Sequence, residues 1–342
     1  MSSATGAHYE GAVASWSASG TTLEAVEAAV ERLRHQEEQL ATRTSVVNLV
    51  VVASDQDSIR RTGSAMRRLG ARHPGRTLLL LLDRQAPAGI DAEVTFRQAV
   101  AEGHAIWWEQ LTLVVRGSAA DHLESLVAPL LLAHLPLAAW FPAQLPAPGE
   151  PLAGVADAVL VDSRFAEPLG GGTEEPGDRA AAFAALVELS RRHPVVDLSW
   201  KRLTPWRELL AGLFDPPALR GYVSEVRSAT VRAQPGPRRL LAGWLVSQLG
   251  LAPDAVVCED ALHASVELLA GGTGEPGSFT VERDGDERSV TARAVIRGEE
   301  VLCQRQSLPE HGLTWSLARA LSRLGHDLTY EHAVASALHF ER

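Results

Sequence analysis

The sequence predicts an α/β protein: an N-terminal α/β domain on a mainly parallel, Rossmann-like sheet, then a mixed α+β C-terminal domain with an antiparallel meander. Three observations predict it. Two nearly continuous apolar runs, Val46 to Ala53 and Thr77 to Leu82, flank a helical segment, and runs hydrophobic on both faces in strand-helix-strand order mark parallel strands buried between helices. Phe279 to Gln306 instead alternates apolar and polar residues around turn signals at Asp284-Gly285 and Arg297-Gly298, as antiparallel strands do. With 342 residues, 46% hydrophobic and 22% charged, the chain is long enough for two domains with separate cores.

Residues 1 to 20 are small and polar and read as a flexible leader. Thr21 and Glu24 have capping-box spacing, and Leu23, Val26, Val30, Leu33 and Leu40 recur at helical intervals, so an amphipathic helix is expected to run to about Thr42 to Thr44. After the first strand, Ile59, Met66 and Leu69 form a helical stripe that His73-Pro74-Gly75 ends. Glu93 to Gln98 and Ala105 to Arg116 read as strands, Ser118 to Ala133 as a helix, and Leu135 to Phe141 and Ala158 to Val161 as short strands. The N-terminal domain is thus placed at 21–168, a Gly-rich linker at 169–178, and the C-terminal domain at 179–342. That second domain is read as a helix from Arg179 to Arg192, a strand over Gly221 to Ala233, a helix over Pro237 to Leu249, and a short strand from Ala255 to Cys258. After the meander, helices around Thr314 to Leu324 and Thr329 to Leu338 finish the chain.

The sequence carries none of the common catalytic motifs. No Gly-x-Gly-x-x-Gly follows the first strand, so Asp83 at the end of the second reads as a turn cap rather than a ribose ligand. Neither Gly-rich loop ends in Gly-Lys-Ser/Thr, and there is no Gly-x-Ser-x-Gly or His-Glu-x-x-His. His332 and His339 share a helical face without an evident third ligand, so neither a metal nor a cofactor is expected. The net charge of −10, without a Lys/Arg tract, disfavours nucleic acid, whose binding rests on phosphate neutralisation. Cys258 and Cys303 cannot make a disulfide framework and read as buried, inert thiols. No apolar run approaches the roughly 18 residues that span a bilayer, and no signal peptide opens the chain. A cytoplasmic location without membrane partners is the expectation.

The densest stretch lies between Asp197 and Pro217. It holds Trp200 and Trp206 in a chain that is 5% aromatic, the sole lysine at 201, and Arg202 and Arg207 beside the indoles. Trp and Arg anchor interfaces or clamp anions, because each gives broad contact at small rotamer cost. Thr204 is a good N-cap, Pro205 suits the first helical position, and Leu209, Leu213 and Phe214 form an inward side before Asp215-Pro216-Pro217. Arg207 near the positive end of that helix calls for an anion or acid close by. Trp107-Trp108-Glu109 sits in a strand, so one indole is expected inward and the other at the surface. Trp108, Glu109 and Arg76 join Trp200, Arg202, Trp206 and Arg207 as candidate partner-binding residues.

An ordered set of motifs then resembles one family. Arg43-Thr44-Ser45-Val46-Val47-Asn48-Leu49, His73-Pro74-Gly75-Arg76-Thr77, Glu109-Gln110-Leu111-Thr112-Leu113, Leu135-Pro136-Leu137 with Trp140, Val161-Asp162-Ser163, Asp197-Leu198-Ser199-Trp200 and Thr204-Pro205-Trp206-Arg207-Glu208 are similar to the glucose-6-phosphate dehydrogenase assembly protein (OpcA) family. They cover about residues 43 to 217. The resemblance implies a non-catalytic factor that binds oligomeric glucose-6-phosphate dehydrogenase and promotes its active state, supporting the oxidative pentose phosphate pathway and NADPH supply. Cyanobacterial relatives link cysteines to redox control, whereas Trp108 precedes Glu109 here and both cysteines lie elsewhere, so the resemblance carries no thiol switch to this chain. A competing expectation is an enzyme or sensor for a sugar phosphate or nucleotide, using Arg202 and Arg207 with the strand-end acids Asp83 and Asp162.

Overall fold

The computed structural model describes residues 8–37, 45–70, 73–101, 104–164, 176–271, 274–308 and 312–340. The chain divides into two compact units, Met1–Val161 with Gly312–Gly325 and Asp162–His311 with His326–Arg342. The fold is mixed α/β with two sheets, the first mostly parallel and the second mostly antiparallel.

The first unit opens with β1 (His8–Ala18), α1 (Leu23–Glu37), β2 (Val47–Ala53), α2 (Gln56–Gly70) and β3 (Gly75–Asp83). It continues with β4 (Gly89–Ala101), β5 (His104–Arg116), α3 (Leu123–Val127), β6 (Leu137–Trp140), α4 (Pro151–Val155) and β7 (Ala158–Val161). The strands lie in the order β1-β4-β5-β3-β2-β6-β7, parallel from β5 to β7, with β4 and β1 antiparallel at one edge. All seven residues of β2 are buried, in keeping with a run that is apolar except for Asn48. Each such Val or Leu contributes about 1.5–3 kcal/mol. Gly75 explains the His-Pro-Gly motif, since a Cβ there would collide with the Val47 carbonyl across the β2–β3 pair.

Several expectations change in this unit. The stretch read as a leader is a strand from His8 onward, paired with β4 through backbone bonds that small side chains do not hinder. Thr22, not Thr21, caps α1, accepting from the Ala25 amide at 3.3 Å, because the helix begins at Leu23 and Thr22 is the residue before it. That helix is described only to Glu37, and its expected end lies outside the described residues. Pro129 interrupts the helix expected over Ser118 to Ala133, which becomes α3 between two 3-10 turns. Trp107 and Trp108 are both buried, because β5 is covered on both faces.

The second unit contains α5 (Pro176–Arg192), β8 (Val195–Asp197), α6 (Leu198–Arg202), α7 (Thr204–Gly212), α8 (Pro217–Arg220), β9 (Val226–Ala233) and α9 (Pro235–Leu249). Then come β10 (Val256–Asp260), β11 (Ser265–Ala270), β12 (Gly277–Arg283), β13 (Ser289–Ile296) and β14 (Glu299–Ser307). After them α10 (Leu313–Leu321) belongs to the first unit, against α2, and α11 (Leu328–Ala337) returns to the second, against α9 and α5. The sheet runs β10-β9-β11-β12-β13-β14, with only β10–β9 parallel. Phe279 and Val281 alternate inward with Ala292 and Ala294, and Phe214 stacks on Phe279 at 4.5 Å. The strand expected from Gly221 starts only at Val226, after a 3-10 turn, and β11 escaped the sequence reading altogether. Most of the linker placed at 169–178 lies outside the described residues, and its last three residues already open α5.

Candidate functional site

The seven candidate residues fall into two groups, one in each unit. In the first, Asn48 and Arg76 are register partners, as are Arg76 and Glu109, so three polar side chains leave one face of adjacent parallel strands side by side. They sit toward the amino ends of β2 and β3. Arg76 is 4% exposed; its Nε donates to Glu109 Oε2 at 2.6 Å, its Nη2 lies 2.5 Å from that oxygen, and its Nη1 donates to the Leu130 carbonyl. Arg34 from α1 donates to Glu109 Oε1 through Nε and Nη2, both at 3.2 Å. Burial pulls the Arg76 guanidinium below its usual range, and the Glu109 charge opposes that pull.

Asn48, also buried, holds the chain next to Leu130. Its Nδ2 donates to the carbonyls of Leu132 at 2.9 Å and Leu135 at 3.3 Å, while its Oδ1 accepts from the Leu132 amide at 2.9 Å. A loop carrying His134 at φ 66, where a residue other than glycine is strained, is thereby pinned from below. Trp108, the neighbour of Glu109, points to the opposite face and packs on α2 at Gly70.

In the second unit the Asp-Leu-Ser-Trp motif builds a buried polar centre. Asp197 caps α6: its Oδ1 accepts from the Ser199 amide at 2.8 Å and the Ser163 amide at 3.1 Å, and its Oδ2 accepts from the Tyr330 hydroxyl at 3.4 Å. Burial, then the charge of Asp162, raise Asp197 to about 6. Burial, with Asp197 beside it, likewise holds the Tyr330 phenol well above its usual range. Asp162 accepts from Ser199 Oγ at 2.7 Å and from Arg202 Nη2 at 2.6 Å through both oxygens. Both strand-end acids therefore have structural partners, since Asp83 Oδ1 accepts from the amides of Gln85 and Ala86 at 3.2 Å.

Trp200 is 1% exposed, its Nε1 donating to Asp327 Oδ2 at 3.0 Å and its ring lying 5.8 Å from that of Tyr330. Arg207 stacks on the Trp200 ring, with Cζ 3.4 Å from its centroid, and donates to the Trp200 carbonyl and the Thr204 hydroxyl. The partner seen is thus the Trp200 indole face, worth about 0.5–2 kcal/mol, with a carbonyl and a hydroxyl, in place of the anion or acid expected near the helix start. Thr204 is not the cap of α7; Leu203 is, without a side-chain bond. Trp206, buried too, donates to the Ala264 carbonyl at 2.8 Å and does not join the Trp200–Arg207 stack.

Sequence reasoning missed Arg34, Asn48, Tyr330 and Asp327 as members of these clusters. Asn48 had a signal, a lone amide inside a run buried on both faces, whereas Tyr330 and Asp327 lie more than a hundred residues from their partners and had none. Cys258 is half-buried and Cys303 exposed, so the expectation of two buried thiols fails; β10 and β14 are the edge strands of their sheet. Among the described residues, no group of three or more His, Cys, Asp or Glu is placed to hold a metal ion, and no helix is long and apolar enough to cross a membrane.

Residues 66–174 match the family model described as the glucose-6-phosphate dehydrogenase subunit N-terminal domain of OpcA, and residues 193–334 match its C-terminal counterpart. The chain belongs to the OpcA family. It is 27% identical over 194 residues to a Synechocystis protein and 29% identical over 196 residues to one from Nostoc punctiforme, each provisionally named OxPP cycle protein OpcA. Both matches cover 54% of this chain. A Synechococcus elongatus relative of the same name is 27% identical over 235 residues, or 61% of this chain. The chain spans half or less of these OpcA relatives' length, at 39%, 40% and 50%. The first OpcA match includes Arg76, Glu109 and Asp162, and the second includes Asp197 to Arg207 with Asp327 and Tyr330.

Proposed function

We propose that this protein is a non-catalytic assembly factor and allosteric activator that binds oligomeric glucose-6-phosphate dehydrogenase in the cytoplasm and favours its active state. The observation that carries the reading is the match of residues 66–174 and 193–334 to the N- and C-terminal domain models of a glucose-6-phosphate dehydrogenase subunit. The side-chain chemistry supports it: Asn48, Arg76, Asp162, Asp197 and Ser199 hold backbone segments or one another, as groups that shape a surface do. An activator must bind the active form more tightly than the inactive one, and a coupling of about 1–3 kcal/mol is typical. That corresponds to a change of roughly 5- to 150-fold in the relevant equilibrium.

The test is to assay NADPH formation by the cognate dehydrogenase with and without this protein, alongside size-exclusion chromatography of the mixture. A stable complex with altered dehydrogenase kinetics is expected. Absence of both a complex and a kinetic effect would sink the reading.

A further inference from the structure

The pinned loop of the first unit borders a groove of about 230 Å³ lined by Glu27, Val30, Glu31 and Arg34 of α1, Arg76, and the segment Pro129–Ala133. That volume is below the roughly 300–1,000 Å³ of small-molecule sites and suits one long side chain from a protein partner. One wall is apolar and partly exposed at Leu131 and Leu132. The opposite wall is charged, and its unmet valences are acidic. Arg76 and Arg34 each direct two nitrogens to Glu109, whereas Glu31 is more than half exposed, its ion pairs among the described residues being Arg34 at 3.6 Å and His35 at 3.8 Å on its own helix. Glu27, one turn earlier on the same face, makes no ion pair among the described residues. Glu27 and Glu31 are thus two carboxylates at i,i+4 beside an apolar wall.

We propose that this groove is the docking site for the partner dehydrogenase, taking a segment in which a lysine or arginine reaches between Glu27 and Glu31 while an aliphatic neighbour packs on Leu131 and Leu132. The inference rests on the reading that the protein binds that enzyme. Charge complementarity selects the occupant: an acidic rim rewards a basic segment, and the apolar wall shields the pair from solvent. Three hydrogen bonds donated by Arg76 and Asn48, and one that Asn48 accepts from Leu132, hold Leu130, Leu132 and Leu135 before any partner arrives, which lowers the ordering cost of docking.

The test measures binding of the cognate dehydrogenase to the full chain, to Glu27→Lys/Glu31→Lys, to Leu131→Ser, and to a charge-matched control, Glu124→Lys/Glu299→Lys. Circular dichroism and thermal melting verify that each variant is folded, and none removes a buried group. The double reversal is expected to weaken binding about tenfold or more and to flatten its salt dependence. Leu131→Ser should weaken it by a smaller factor, with the control near parent. If the parent binds and the groove variants bind equally well, or if the control loses as much as the double reversal, the docking site is wrong while the functional reading stands. If the parent itself does not bind, the functional reading fails first.

Discussion

Glu109→Gln is the sharpest test of the first unit's architecture. The substitution keeps the side chain's shape and one carbonyl acceptor but removes the charge on which Arg34 and Arg76 converge. Arg34 can turn toward Glu31 and water, since its side chain is 24% exposed; Arg76 cannot, being 4% exposed. Breaking a buried pair by removing one partner costs about 3–5 kcal/mol, and the bond that Arg76 retains to Leu130 places this case near the lower end, about 3 kcal/mol. Two units need not unfold together, so a global melt blurs the effect, and hydrogen exchange of amides in β3 and β5 is the suitable readout. A loss of about 3 kcal/mol accelerates exchange through opening of this unit about a hundredfold. In a double-mutant cycle with Arg76→Met, the pair should lose less than the sum of the singles by at least about 1 kcal/mol. Exchange within about threefold of parent, or strict additivity, would refute a charge-compensation role for Glu109.

Asp197 is held at about 6, above an unfolded value near 3.9, so the fold favours the protonated acid: that stabilisation is complete below about pH 4 and lost as pH rises through about 6. Asp197→Asn holds a neutral group against Ser163, Ser199 and Tyr330 at every pH, and should gain on the parent by on the order of 2 kcal/mol between pH 4 and 8 in urea unfolding. A pH-independent difference would contradict this. Trp200→Ala removes a fully buried ring that also carries the Arg207 stack and the Asp327 bond, at about 3–5 kcal/mol. The expected result is a shifted melt in circular dichroism accompanying any loss of activation; a fully stable but inactive variant would make Trp200 a contact residue instead. Gly243→Ala places a methyl group against the Ala333 carbonyl and Ala337 where α9 meets α11, and should cost about 1–3 kcal/mol by denaturant titration.

Parallel strands are legible because burial on both faces leaves a nearly continuous apolar run, and Val47–Ala53, broken only by Asn48, is one. The meander was legible through its turns. By contrast β1 was hidden by its Ala and Ser residues, which carry no periodic signal on an edge strand that is mostly exposed or half-buried. The segment giving β11 is inconspicuous in the sequence because only Val266, Leu268 and Ala270 turn inward, too short a stripe to stand out before its pairing to β9 and β12 is known. Dense Trp and Arg reads as a surface signal, yet Trp200, Trp206 and Trp108 are core residues and Arg207 stacks on Trp200. Composition reports how much contact a side chain can make and leaves open with what. The Arg76–Glu109 pair was found as two separate candidates, since strand register, which brings residue 76 beside residue 109, cannot be computed from either segment alone.

Register also explains why family markers in this chain are buried polar groups. Asn48 and Arg76 each lie near the start of a strand, and a strand start at the amino edge of a parallel sheet faces the loops entering it. A buried amide and a buried guanidinium are costly there unless their bonds are filled, and the loop from Leu130 to Leu135 fills them with backbone carbonyls. The loop in turn loses the freedom that binding would otherwise have to remove, at roughly 1–2 kcal/mol per residue fixed. Such residues set the affinity of a surface without touching what binds it. Replacing Asn48 with alanine should therefore weaken dehydrogenase binding through the loop's entropy, raising exchange of the Leu132 amide in the free protein, whereas Glu27→Lys/Glu31→Lys should leave that amide protected and act on the complex alone.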